Sequence, residues 1–180
     1  MFSPVHSANP CVSRSWSKSL KLDTYDINLL DALQQDGRAS IAELAKRINL
    51  SATPCAQRLR KLEAAGLIAG YRALVDPRTL GLDLLVFIEV TLKETGEQTL
   101  QAFNAAIRAV PHILECHMVG GNFDYLLKAR VADMPQYRAL LGSEIGSLPM
   151  VQSTHSYFVM EEVKDMGPLP LKPVRTAGKK

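Results

Sequence analysis

SIAELAKRINLSATPCAQRLRKLEAAGL, residues 40–67, decides how this chain is read. Its spacing predicts two short helices joined by a tight turn. Ile41, Leu44, Ala45 and Ile48 recur at i, i+3, i+4, i+7, the stripe of a helix that buries one face. Ser40, with Glu43 three residues on, carries a capping-box signature. Asn49 tolerates a left-handed turn. Ser51 is placed to cap a second helix, and Pro54 falls in its first turn, where a missing N–H is harmless. Cys55, Leu59 and Leu62 face inward, and Gly66 ends the helix.

The outer side of that second helix carries Gln57, Arg58, Arg60 and Lys61. Between Lys46 and Lys61 there are five basic residues and no acidic one. Cations there contact phosphates, while Gln57 and Arg58 have the chemistry to read adenine and guanine edges in a major groove. A helical hairpin with a solvated cationic face would present the same charges. Cap, turn, cap and an acid-free face together favour a helix-turn-helix unit that binds double-stranded DNA. The expected DNA-binding set is Arg47, Ser51, Thr53, Gln57, Arg58, Arg60, Lys61 and Arg72.

Upstream, LDTYDINLLDALQQDGR offers Asp23 as a cap and Ile27, Leu30 and Leu33 as a buried stripe, the third helix such a unit needs. Downstream, Ile68 to Val75 alternates around Gly70 before Asp76-Pro77. This predicts a short hairpin, the wing of a winged helix, with Arg72 in reach of a phosphate; a plain linker strand is the alternative.

Charge is distributed unevenly. By direct count, residues 1–21 carry +3, 22–80 carry +1, 81–166 carry −5 and 167–180 carry +4. The acidic second half should repel DNA, so its task differs. Domain boundaries are expected at a disordered basic arm over 1–21, the DNA-binding domain with its linker over 22–80, a second domain over 81–164 and a flexible tail over 165–180. The Ser-rich, acid-free start faintly resembles a transit peptide, but it lacks an amphipathic stripe or an apolar core segment. Cys11, Cys55 and Cys116 are widely spaced, and neighbouring Cys116 and His117 point to opposite faces of a strand. No metal site is expected, and Cys55 and Cys116 read as small buried residues in a reducing cytoplasmic setting. No apolar run reaches membrane-spanning length, so no membrane role is expected.

From Leu82 onward the order reads strand, helix, strand, strand, helix, strand. In LLVFIEVTL, Leu84, Val86, Ile88, Val90 and Leu92 form one apolar face, and Leu85 and Phe87 make the other half apolar, as if a partner chain covered it. A helix from Glu97 to Val110 buries Leu100, Phe103, Ile107 and Val110. Strands follow at 113–119 and 123–131 around the Gly120-Gly121-Asn122 turn. A helix over 134–148, capped by Asp133, buries Met134, Tyr137, Leu141 and Ile145, and a last strand runs over about 150–160. This βαββαβ order is a ferredoxin-like arrangement with one sheet face left open, which argues for dimerisation. The fold class is therefore α+β, a winged helix-turn-helix followed by a ferredoxin-like domain.

With LSATPCAQRLRKLEAAGLI, LLVFIEVTL, ECHMVGGNFDYLLKARV and YFVMEEVK in this order, the chain resembles the Lrp/AsnC (feast/famine) family of bacterial regulators over about Leu22 to Lys164. The resemblance implies a second domain of the RAM type, homodimers that assemble to octamers or similar, and a cytoplasmic, nucleoid-associated regulator of amino-acid metabolism genes. It also implies a small amino-acid effector, leucine or similar, bound between C-terminal domains. Carried onto this sequence, the effector site is Val119, Gly120, Gly121, Asn122, Asp124, Met134, Thr154 and Tyr157. Glycines let backbone groups approach a carboxylate, and Asp124 can pair with an ammonium; the plainer role for Asp124 is to stabilise its turn.

Two other readings compete. One is an architectural DNA-binding protein that needs no effector. The other is an enzyme, but the four histidines have no nucleophile in local motif form, and neither a P-loop nor GxSxG nor HExxH occurs. No catalytic residue and no cofactor are expected.

Overall fold

A computed structural model describes residues 21–171. The expected arm over 1–21 therefore lies almost wholly outside the described residues, as does the end of the tail. The chain divides into two compact units. Residues up to Ala73 form the first together with the segment from Met166 onward, and Leu74–Asp165 form the second.

The first unit holds α1 (Thr24–Gln35), α2 (Ile41–Arg47) and α3 (Ala52–Ala64). Capping boxes start two of them: Asp23 pairs with Asp26 at α1, and Ser40 with Glu43 at α2. Asn49 turns the chain at φ 56°, and Gly66 ends α3 at φ 70°, left-handed conformations that these residues adopt at low cost. Ser51 occupies the N-cap of α3 but makes no side-chain cap bond, unlike the expectation. Leu29, Leu44, Ala45, Ile48, Cys55 and Leu62 close the core.

Two further expectations need correction in this unit. The buried line of α1 is Asp26, Leu29 and Ala32, one residue out of phase with Ile27, Leu30 and Leu33. A stripe drawn through apolar residues alone could not include Asp26, which is 1 % exposed. The hairpin expected over 68–75 does not form: no strand is present there, and Tyr71, Leu74 and Val75 are exposed. Alternation alone did not supply a strand partner.

The second unit follows a 3-10 turn over Arg78–Leu80. It contains β1 (Leu84–Leu92), α4 (Glu97–Arg108), β2 (Ile113–Met118), β3 (Tyr125–Val131), α5 (Met134–Ala139) and β4 (Val151–Phe158). The sheet order is β2-β3-β1-β4 with antiparallel neighbours throughout, the ferredoxin-like order. Val86, Ile88 and Val90 of β1 are fully buried with Phe103 and Ile107 of α4 and Leu127 and Ala129 of β3. Alternate positions of β1 and β3 thus meet the helices.

Past α5 the helix widens into a π-helical turn, Leu140–Ile145. The buried line becomes Tyr137, Leu140 and Ile145, with Leu141 only half-buried and Met134 48 % exposed. The widened turn explains why a 3.6-residue stripe misplaced Leu141; Met134 stands before it, exposed at the first position of α5. Leu85, expected to need a partner chain, is buried within its own chain, its carbonyl accepting from the Val159 amide. Beyond β4, Glu162 reaches Arg130 at 2.6 Å and Asp165 reaches Lys128 at 3.3 Å. Cys116, expected to be buried, is an exposed residue on the edge strand β2, although desolvation of its thiol pushes the pKa up to about 11.

Candidate DNA-binding face and effector turn

Ser51, Thr53, Gln57, Arg60 and Lys61 are all exposed on or beside α3. Thr53, Gln57 and Lys61 are four residues apart, so they share one face of the helix. The buried Cys55 and Leu62 hold the opposite face against α1 and α2, which leaves that polar face outward. Thr and Gln can hydrogen-bond base edges; Arg60 and Lys61 supply phosphate-binding charge. Arg47 is also exposed, within 3.5 Å of Asp36.

Arg58 is placed differently from the expectation that it reads a base. Its guanidinium Nη1 lies 2.6 Å from Asp26 Oδ1 and 2.7 Å from Asp23 Oδ2, and its plane stands 5.3 Å from the centre of the Tyr25 ring. Asp26 is almost wholly buried and needs a compensating charge; Arg58 is the side chain that provides it. These contacts raise the Arg58 pKa, Asp26 first, and the Asp26 amide followed by Arg58 lowers that of Asp23. Arg58 thus ties α3 to the first turn of α1, and a guanidinium committed in this way is not free to fork onto guanine. Arg72, expected at a phosphate, instead donates to the Met166 sulfur.

In the second unit, Val119 to Asp124 form the connection between β2 and β3. The Val119 amide donates to the Asp124 carbonyl at 2.9 Å, and the Asp124 amide donates to the Val90 carbonyl at 3.0 Å. Asp124 Oδ2 accepts the Leu92 amide at 2.7 Å, so the carboxylate pins its loop to the end of β1. Its other oxygen has no hydrogen bond among the described residues. Gly120 and Gly121 have no positive φ, and a Cβ on either would meet nothing within 4 Å. Nothing inside this chain requires glycine at either position.

The remaining effector candidates do not gather there. Val90 pairs with Tyr125 on one side and Thr154 on the other, which brings Thr154 to the same end of the sheet as the turn. Tyr157 pairs with Phe87 and faces the open side of the sheet, opposite to Thr154. There the Glu89 carboxylate beside its hydroxyl raises its pKa. Met134 lies just past the far end of β3, roughly 20 Å along the strand from the turn. Met134 instead lines an open cavity of about 560 Å³ with Pro135, Arg138 and Ala139. One copy of the chain therefore does not bring the eight residues into one site.

Sequence reasoning missed the Asp23–Asp26–Arg58 cluster and the Leu92 amide as the partner of Asp124. The first had a signal, two acids three residues apart at a helix start. The second had none, since a backbone amide carries no residue identity. Among the described residues, no group of His, Cys, Asp or Glu could hold a metal, and no helix is long and apolar enough to cross a membrane.

Residues 22–69 match a winged helix-turn-helix DNA-binding family, and residues 85–169 match the Lrp/AsnC ligand binding domain. The chain belongs to the Lrp/AsnC family. It is 51 % identical over 151 residues to the leucine-responsive regulatory protein of Salmonella typhimurium, covering 84 % of this chain and 92 % of that one. It is 47 % identical over 150 residues to the proline dehydrogenase transcriptional activator of Rhizobium radiobacter, covering 83 % and 96 %. A Neisseria meningitidis transcriptional regulator solved as an L-Met complex superposes with a TM-score of 0.81 at 37 % identity, covering 84 % and 97 %. Like its Lrp/AsnC relatives, the chain is a transcriptional regulator that joins a DNA-binding domain to a ligand-binding one.

Proposed function

We propose that the chain binds operator DNA through Thr53, Gln57, Arg60 and Lys61, and that a small apolar amino acid bound at the 119–124 turn adjusts that binding. The observation that carries the effector half is the turn itself. Two glycines that its own chain does not require leave backbone amides bare beside a carboxylate with one uncommitted oxygen. Bare amides suit the carboxylate of an amino acid, and Asp124 suits its ammonium. A leucine- or methionine-like side chain is favoured because relatives of this chain carry those names.

Because Met134 and Tyr157 lie away from the turn within one copy, the full site is composite, completed where copies meet. That reading entails a homodimer and larger assemblies such as an octamer. Genes of amino-acid metabolism are the proposed targets, in a bacterial cytoplasm. Enzymatic activity has no place in this reading. The bond from the Leu92 amide to Asp124 favours a second reading, in which the turn serves structure alone and the protein organises DNA without an effector.

A thermal-shift panel of the twenty amino acids separates the two. A ligand that binds only the folded state adds about 2.7 kcal/mol at 100 times its Kd. One stabilising amino acid whose effect is lost in Asp124→Asn, a variant that keeps an acceptor for Leu92, supports the effector reading. No stabilisation by any of the twenty, with DNA binding intact, leaves the architectural one.

A further inference from the structure

Beyond β4 the chain is held by side chains in both units. In the second unit Glu162 meets Arg130 at 2.6 Å and Asp165 meets Lys128 at 3.3 Å. Both cations lie on β3, and their side chains are only 7 % and 13 % exposed; Arg130 Nη1 also donates to the Leu82 carbonyl at 3.2 Å. A cation so far out of water needs its acid, so each pair fixes the segment. The next residue, Met166, belongs to the first unit. There Arg72 donates to the Met166 sulfur, and Gln34 of α1 holds both backbone groups of Leu169. Gln34 Nε2 donates to the Leu169 carbonyl at 3.1 Å, and Oε1 accepts the Leu169 amide at 2.6 Å.

The local sequence suits that grip. Pro168 and Pro170 flank Leu169, so the Leu169 amide is the one N–H in the tripeptide. A shift of one residue either way would present Gln34 with a proline, which fixes the register. Proline also restricts the residue before it to extended conformations and stiffens the stretch into a spacer. The Leu169 backbone is thus set for its partner beforehand, and little entropy is lost when the two meet. Leu169 lies four residues past Asp165 and seven past Glu162. With both acids released, the nearest fixed point in the second unit is the Val159 amide on the Leu85 carbonyl, ten residues back. The effective concentration of a tethered group falls roughly as the −3/2 power of tether length. The acid pairs in one unit therefore strengthen the glutamine grip in the other.

We propose that residues 159–171 are a return strap through which the ligand-binding unit acts on the DNA-binding unit, with acid pairs on β3 holding one end and Gln34 the other. The chain passes between the units twice, at 73–74 and at 165–166, and the strap turns the second passage from a free tail into a fixed connection. β3 begins at Tyr125, directly after the 119–124 turn. An amino acid bound at that turn alters the strand that carries Arg130 and Lys128, and the strap passes the change to α1. The inference rests on the effector reading above and supplies its route to DNA.

Hydrogen exchange on the full-length chain tests the strap without DNA or effector. The Leu169 amide should be protected in the parent chain and released in Gln34→Ala. Asp165→Ala should speed its exchange about two-fold, and Glu162→Ala/Asp165→Ala about four-fold, the ratios of tether length raised to the 3/2 power. Amides of β1 should keep their parent rates. Asp165 is 56 % exposed, so Asp165→Ala by itself reads the coupling should the double variant unfold. DNA binding is then followed with and without L-leucine and L-methionine. Gln34→Ala should keep the parent affinity in the absence of amino acid. The effect of the amino acid on affinity, about 5- to 150-fold for ordinary allosteric coupling, should fall toward one-fold. An unprotected Leu169 amide in the parent chain overturns the latch. Exchange at Leu169 that neither acid variant moves overturns the strap, since its two ends then act separately. An amino-acid response kept whole in Gln34→Ala overturns the regulatory role while leaving the effector reading standing. A parent chain whose DNA binding neither amino acid alters overturns the effector reading, and the role of the strap with it, while operator binding stands.

Discussion

Arg58 looked in the sequence like a base reader because it is a cation on the outer part of a basic helix. In the fold it is half-buried and serves Asp26, so the two residues have to be tested together. Arg58→Ala should cost about 3 kcal/mol of stability in chemical denaturation, since it leaves a buried carboxylate uncompensated. Removing both charges in Arg58→Met/Asp26→Leu should recover most of it. Gln57→Ala should behave differently, with little change in stability but about 1–3 kcal/mol lost on the preferred operator and relaxed preference at one position. Binding assays on operator variants check this; a selective specificity change in Arg58→Ala at unchanged stability would restore its base-reading role. Asp124→Asn belongs to the same scale. It should keep the Leu92 contact yet weaken effector binding roughly 10- to 100-fold, the worth of a charged hydrogen bond.

Helix starts and one helix end carry the predictions at the scale of elements. Asp23 at α1 is held below the ordinary carboxylate range first by the Asp26 amide, and Glu43 at α2 by Ser40. Both pKa values are lower in the folded chain than in the unfolded one. Their contribution is therefore complete above about pH 4.5 and is lost as pH falls through the depressed values. A thermal midpoint that falls on acidification through pH 4, and falls less in Ser40→Ala/Glu43→Ala, is the expected result. At the end of the π-helical turn, the Gly146 amide bonds the Leu141 carbonyl at 2.7 Å, and a Cβ at Gly146 would stand 2.9 Å from that same oxygen. The backbone cannot yield without losing the bond. Gly146→Ala should therefore lower stability by about 1–3 kcal/mol despite the better helix propensity of alanine. A midpoint unchanged or raised in Gly146→Ala would mean that the turn relaxes freely.

For the whole molecule, the apolar residues left exposed in the second unit lead to a prediction about assembly. Leu114 and Met118 on the edge strand, Tyr157 and Phe158 on β4, and Met160 and Val163 beyond it are all exposed. Sedimentation should find a concentration-dependent dimer or larger species. Leu114→Lys should weaken it by about ten-fold or more, the worth of one buried leucine. What the sequence determined by itself was whatever is local and periodic. The Asp23 cap, the Ser40–Glu43 capping box, the left-handed Asn49, the end of α3 at Gly66, the apolar face of β1 and the strand–helix order each depend on residues within a few positions of one another. The outward positions of Gln57, Arg60 and Lys61 also followed from helical spacing, because the buried side of a helix fixes its exposed side. Only the tertiary structure decided the rest, because each case turns on a partner distant in sequence. Arg58 turns inward since Asp26, thirty-two residues earlier, is buried beside it. Asp124 meets a backbone amide in β1, Met134 and the 119–124 turn are set apart by the length of β3, and Leu169 returns to Gln34 across 135 residues. Helical and strand periodicities are properties of one segment; charge compensation and chain return depend on which segments the fold brings together.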